Sequence, residues 1–213
     1  MKRFFAFILT VVMALSLVAC GGDSTSDSSD SDAVIPDGEI SLRIGTSASD
    51  TSAITQGAQW FADKLNERTG GLVTVKVYSS DSISGGAQAK GIEMLMDGSA
   101  DMTFHSNLIY STLDARLNVI SLPWMFDGYE DVDDTLAGGA GDAIANILDE
   151  YGIKVLGFAQ NGFRQITNNV REIKTVADLD SLQIRINNSQ MQLNLFQALG
   201  ADPLNMNFPE VFT

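Results

Sequence analysis

The sequence predicts an α/β fold whose strands pair mainly in parallel. Three observations carry this. Short segments of alternating apolar and polar residues, the period of a half-buried strand, recur between residues 40 and 186. Segments with apolar residues at three- and four-residue spacing lie between them. Strand and helix alternate along the chain, which is the order a parallel sheet with helical crossovers requires.

Ile40-Ser41-Leu42-Arg43-Ile44 is the first alternating strand. The helix after it places Ala58, Phe61, Ala62 and Leu65 on one face and stops at Gly70. Val73 to Tyr78 is a second strand, and a helix carrying Ile92, Leu95 and Met96 ends at Gly98. Asp101-Met102-Thr103-Phe104 is the third strand. Residues 131–151 predict one long helix with Leu136, Ile144, Ile147 and Leu148 inward, weakened early by Gly138, Gly139 and Gly141. Lys154 to Phe158, Phe163 to Thr167 and Gln183 to Ile186 read as further strands. Thr175 with Asp178, and Ser189 with Gln192, are capping-box pairs that open a short helix and a longer one ending at Gly200. Trp60, Phe61, Trp124 and Phe126 are expected in the core.

Composition excludes several functions. The 213 residues carry 13 Lys and Arg against 27 Asp and Glu, a formal net charge of -14. Such a chain repels phosphate backbones and anionic headgroups, so no nucleic-acid partner is expected. One Cys and one His exclude an internal disulfide and make a thiolate or histidine-rich metal site untenable, so no metal or cofactor is expected.

The N-terminus reads as an export signal. Lys2 and Arg3 precede an apolar stretch, Phe4 to Leu17, that is too short to span a bilayer. It closes on Leu17-Val18-Ala19-Cys20, which resembles a bacterial lipobox with Cys20 as the lipidated first mature residue. The alternative is an ordinary signal peptide with an incidental cysteine. The position of the chain's one Cys at the cleavage point favours the lipobox. Residues 1–19 are thus the signal, and residues 20–38, rich in Ser, Asp and Gly, form a flexible tether that has little to bury.

Sites for covalent chemistry are not evident. No nucleophile elbow, P-loop or zinc-protease helix is present. Gly138-Gly139-Ala140-Gly141 sits inside a helical pattern rather than after a strand, so it does not read as a nucleotide loop. His105 has no evident Ser or Cys partner and reads as a surface or pocket-lining residue. Arg164 and Arg185 each stand in an apolar, strand-like setting, Gly162-Phe163-Arg164-Gln165-Ile166 and Gln183-Ile184-Arg185-Ile186. They can pair with the surplus acids, face solvent, or present their planar forks to a carboxylate ligand. Spacing alone favours internal pairing.

Six segments in order carry a resemblance: Leu65-Asn66-Glu67-Arg68-Thr69-Gly70-Gly71, Met96-Asp97-Gly98-Ser99-Ala100-Asp101-Met102, Leu122-Pro123-Trp124-Met125-Phe126, Gly162 to Asn168, Leu182 to Ile186, and Leu199 to Pro203 with Met206 to Val211. From about Ile40 onward the chain resembles the solute-binding proteins of tripartite ATP-independent periplasmic (TRAP) transporters, of the dicarboxylate- and sugar-acid-binding DctP type. The resemblance implies a two-lobe, periplasmic-binding-protein-like α/β fold (type II), with residues 39–160 as the first lobe and residues 161–213 as part of the second. The family continues further, so truncation within the second lobe is expected. The resemblance makes Arg185 the carboxylate-pairing arginine, Arg164 a second one near the lobe crossover, Asn188 a polar contact and Phe208 an aromatic against the ligand. Asn187 departs from a frequent Pro, and Gly85-Gly86-Ala87 departs from a glycine-rich loop ending in Glu.

These features imply an extracytoplasmic lipoprotein without enzymatic activity. It would be a monomer that captures an organic acid such as a C4-dicarboxylate or uronate and passes it to TRAP permease subunits. A secreted α/β hydrolase and a binding lipoprotein of an ATP-driven importer are the alternatives. The first needs a nucleophile–base or paired-carboxylate site, and the second leaves the ordered motifs unexplained.

Overall fold

The computed structural model describes residues 38–212. The predicted signal, Cys20 and the tether through residue 37 lie outside the described residues.

The first sheet has three parallel strands in the order β2-β1-β3: β1 (Ile40–Thr46) at the centre, β2 (Val73–Tyr78) and β3 (Met102–Phe104). Ile40 faces Val73 and Ile44 faces Met102 in the ladders. Helix α1 (Ala53–Arg68) joins β1 to β2, and α2 (Gln88–Met96) joins β2 to β3. The Ser52 hydroxyl caps α1 by accepting from the Thr55 amide at 3.3 Å. Buried Ala58 and Ala62 let this helix lie close on its sheet.

Beyond β3 the chain folds into α3 (Asn107–Tyr110), a 3-10 turn (Ala115–Ser121), α4 (Tyr129–Thr135) and α5 (Gly141–Asp149). Ile109, Leu117, Ile144 and Leu148 from these pieces, with Ile92 of α2 and Ile153 just after α5, form one buried cluster. Ile92 and Ile109 are 1% and 0% exposed, each stabilising the fold by roughly 1.5–3 kcal/mol of apolar burial.

A second sheet pairs β4 (Gln183–Ile186) with β5 (Asp202–Asn205) in parallel through α6 (Gln190–Ala198). Leu179, Leu182, Ile186, Phe196 and Ala201 form its core. Gly200, at φ +84°, lets the chain leave α6: its own amide donates to Gln197 O and that of Ala201 to Phe196 O.

Several expectations are corrected. The long helix is two helices, because residues 136–140 form a π turn in which Gly139 takes φ +111°, closed to residues with a Cβ. The segments 154–158 and 163–167 are not strands. No described strand lies beside them, and a strand without a ladder partner has unmet backbone groups. Instead Gln160 donates to Tyr129 O at 3.0 Å and to Asp133, and the Phe163 ring lies 5.2 Å from that of Tyr129. β5 was not expected at all. Trp60 and Trp124 are not in the core but 63% and 84% exposed.

Candidate functional site

The described strands are all parallel within their sheets, so each sheet collects its C-terminal ends on one edge, where open α/β sheets place ligands. Ser47 and Ser49 follow β1, Ser80 follows β2, and Phe208 and Pro209 follow β5. These residues line one cavity of about 280 Å³.

Arg185, on β4, is half-buried. Its Nε and Nη2 donate to Met206 O at 3.0 and 2.7 Å, and its Cζ lies 5.7 Å from the Phe208 ring centre. Desolvation lowers its pKa, and the nearby charge of Arg164 lowers it further. Desolvation likewise lowers the pKa of Arg164, whose surface is nonetheless exposed. No described Asp or Glu forms an ion pair with either guanidinium. Other arginines behave differently. Arg43 pairs with Asp101 at 3.0 Å, and Arg116 holds both Asp114 and Glu150. The internal pairing that spacing favoured is therefore absent among the described residues. Two mutually repelling guanidiniums beside an aromatic face leave a place suited to an anion.

The other two expected contacts differ. Phe208 is half-buried at the cavity and under Arg185. Asn188 lies just past β4, exposed, with no hydrogen bond to a described residue, whereas its neighbour Asn187 is buried with Oδ1 unpartnered. A larger hollow of about 610 Å³ is bounded by residues 166–173 alone. It offers no free cation from Arg171, whose guanidinium donates to the Asp178 and Asp180 carbonyls.

Sequence reasoning missed the serine wall and what stands behind it. His105 is neither a surface nor a pocket-lining residue. Its side chain is fully buried, with Nε2 2.6 Å from Oδ1 of an equally buried Asp81. The Ser47 and Ser49 pair, standing directly after a strand, was a usable signal. Nothing local links Asp81 to His105, 24 residues apart. Among the described residues no group of His, Cys, Asp and Glu is placed to hold a metal ion.

Fold and site define a periplasmic-binding-protein-like α/β chain whose strand ends line a polar cavity and whose Arg164 and Arg185 meet no described carboxylate. The chain belongs to the DctP family, bacterial extracellular solute-binding protein family 7, whose model matches residues 44–213. It is 38% identical over 173 residues to the 2,3-diketo-L-gulonate-binding periplasmic protein YiaO of Escherichia coli (strain K12), covering 81% of this chain and 52% of that one. It is 32% identical over 155 residues to the C4-dicarboxylate-binding protein DctB of Bacillus subtilis (strain 168), covering 73% and 44%. Among solved structures, a TRAP periplasmic solute-binding protein from Ralstonia eutropha H16 with bound (S)-2-acetolactate superposes with TM-score 0.78 at 28% identity, covering 80% of this chain and 55% of that one. The sugar acid binding protein DctPAm of Advenella mimigardefordensis, in complex with galactonate, gives 0.76 at 31% identity, covering 82% and 56%. The chain spans about half the length of the curated relatives it matches.

Proposed function

We propose that the protein is an extracytoplasmic solute-binding lipoprotein that captures an organic acid and delivers it to a TRAP-type permease, with no chemical turnover. The observation that carries this reading is the Arg164 and Arg185 pair, unmatched by any described carboxylate in a protein of net charge -14. A ligand carboxylate supplies the missing anion through charge-assisted hydrogen bonds, with Phe208 against it and Asn188 as a further polar contact. Residues 39–160 form one lobe and residues 161–213 part of the other, closing by hinge motion on the acid. Cys20 carries the lipid that holds a monomer at the membrane, on the outer side. Relatives named for diketogulonate and C4-dicarboxylates, and for TRAP transport, support this class of ligand and partner.

The hydrolase alternative needs a nucleophile within reach of a base. His105 is the chain's one histidine, is fully buried, and makes no hydrogen bond with a described hydroxyl or thiol. The family match and the solved structures named for TRAP transport do not favour an ATP-driven importer subunit. Thermal-shift screening of the full-length protein against dicarboxylates, uronates, aldonates and keto acids tests the reading. Ligand-induced stabilisation without consumption supports capture, and turnover of a stabilising acid contradicts it.

A further inference from the structure

We propose that His105, acting through Asp81, is the positioning residue that holds the corner after β2 against β1 and so keeps Ser80 in the cavity wall. This rests on the reading that the acid binds where the strand ends meet. It adds a buried residue that touches no ligand itself.

Parallel strands need such a tie. No hairpin turn joins neighbours in a parallel sheet, so past the C-terminal ends of β1, β2 and β3 each chain departs into its own loop. Asp81 draws the three ends together. Its own chain comes from β2, and its amide donates at 2.8 Å to the carbonyl of Thr46, the last residue of β1. Its Oδ1 lies 2.6 Å from Nε2 of His105, the first residue after β3. The Ser80 amide adds a bond of 2.9 Å to the carbonyl of Ala48, which stands between the cavity-lining Ser47 and Ser49.

The corner does not keep this shape unaided. Ser80 and Asp81 take φ 52° and 53°, left-handed angles that L-residues hold only where the surroundings over-determine them. His105 supplies that constraint. Both side chains of the pair are fully buried, and no other described cation forms an ion pair with Asp81. Neither Asp81 Oδ2 nor His105 Nδ1 has a described partner, so the connection is one bond without a substitute. The imidazole is itself seated by two glycines: an added Cβ would stand 3.4 Å from Cε1 at Gly91 of α2 and 3.9 Å at Gly45 of β1. Removing the imidazole strands a buried carboxylate, whose route to water is to swing the corner away from β1. That movement takes Ser80 out of the cavity it shares with Phe208 and Pro209.

Amide hydrogen exchange and calorimetry on full-length His105→Leu and His105→Gln test this, with D-galacturonate and succinate as probes. In His105→Leu the Ser80 and Asp81 amides should exchange roughly 10- to 100-fold faster while those of the β4–β5 ladder keep their rates. The probe that the unmodified protein binds should bind ~2- to 30-fold more weakly. Gln can place a side-chain N–H where Nε2 stands, so His105→Gln should recover most of both losses. Should His105→Leu not fold, His105→Asn, polar but too short to reach Asp81, takes its place with the same expectations. A histidine that only adds general stability predicts protection lost alike in both sheets, with affinity in the folded fraction unchanged. That pattern overturns the proposal, as does unchanged exchange at Ser80 and Asp81. Faster exchange at the corner with undiminished affinity also overturns it and leaves acid capture standing. Binding of neither probe by the unmodified protein tells instead against acid capture, and the corner amides alone then judge the tie.

Discussion

The Arg185 guanidinium carbon lies 5.7 Å from the centre of the Phe208 ring while its Nε and Nη2 donate to the carbonyl of Met206. The relationship follows from strand register. Arg185 faces Leu204 across the β4–β5 ladder, so the chain leaving β5 brings Met206 and then Phe208 alongside the guanidinium. One carbonyl and one aromatic face fix the plane of the fork, and the Nη1 side makes no bond with a described residue. A fork held this way loses less freedom on meeting a carboxylate than one waving in solvent.

Phe208→Leu should therefore loosen the fork rather than remove it. Losing a cation–π contact of ~0.5–1 kcal/mol predicts a ~2- to 5-fold weaker affinity for the acid, whereas Phe208→Tyr should keep it. Calorimetry on both variants checks this, and equal losses would show that the ring face is not what orients Arg185.

Gly141 offers a test of the broken helix. Replacing a helical glycine by alanine ordinarily gains up to ~1 kcal/mol. Here an added Cβ would stand 2.8 Å from Leu136 O and 3.3 Å from the Phe158 ring, a crowding that should cost ~1–3 kcal/mol. At Gly138 nothing lies within 4 Å of such a Cβ, so Gly138→Ala should be neutral or stabilising. Thermal unfolding of the two variants should diverge in sign, and a stabilising Gly141→Ala would mean that the π turn relaxes freely.

Acid sensitivity is predicted at Asp114. Arg116 donates to both its oxygens and Tyr151 adds a hydroxyl, holding the carboxyl at about 2 against an ordinary 3.8. A depressed carboxylate pKa stabilises the fold above the unfolded value, and that stability is lost as pH falls through the folded one. Melting temperature should thus drop between pH 3.8 and about 2, and Asp114→Asn should flatten that part of the curve. Arg116 is 53% exposed, so salt should diminish the effect. An unchanged acid limb in the variant would assign it to other carboxylates.

Cys20→Ser tests the anchor. If the lipobox is processed, the variant should leave the membrane fraction or keep its signal uncleaved. A mature-length variant that still sediments with membranes would contradict lipidation at Cys20.

Much of the fold was legible because local periodicity and the packed faces agree. β1 and β2 alternate, and α6 carries its predicted serine cap, Ser189, where local chemistry puts it. The Thr175 capping box forms in full, with Asp178 accepting from the Thr175 amide at 2.7 Å, although it opens a 3-10 turn. β5 escaped notice because Pro203 breaks its pattern. The strand tolerates the proline since Asp202 and Met206 supply amides that donate to the β4 side, and position 203, which in proline carries no N–H, is not one of them. Segments 154–158 and 163–167 alternate like strands, but pairing is a property of two segments and not of one.

The site was legible in its charges and not in its walls. Arg164 and Arg185 stood out because a guanidinium in an apolar run calls for an anion; the internal pairing that spacing favoured is not formed, since no described carboxylate meets either. Ser47, Ser80, Asp81 and His105 come from the ends of three different strands. Only the parallel register of β1, β2 and β3 brings them together.

The most direct test of carboxylate capture is the affinity of full-length Arg185→Ala for an acid the unmodified protein binds, measured by calorimetry beside ligand-free melting. Truncating one member of a buried, hydrogen-bonded charge pair costs ~2–5 kcal/mol, so affinity should fall roughly thirty- to several thousand-fold, with Arg185→Lys recovering only part of it. Undiminished affinity in the folded fraction of Arg185→Ala, accompanied by a lower ligand-free melting temperature, would make Arg185 a scaffold residue and contradict ligand capture at this site.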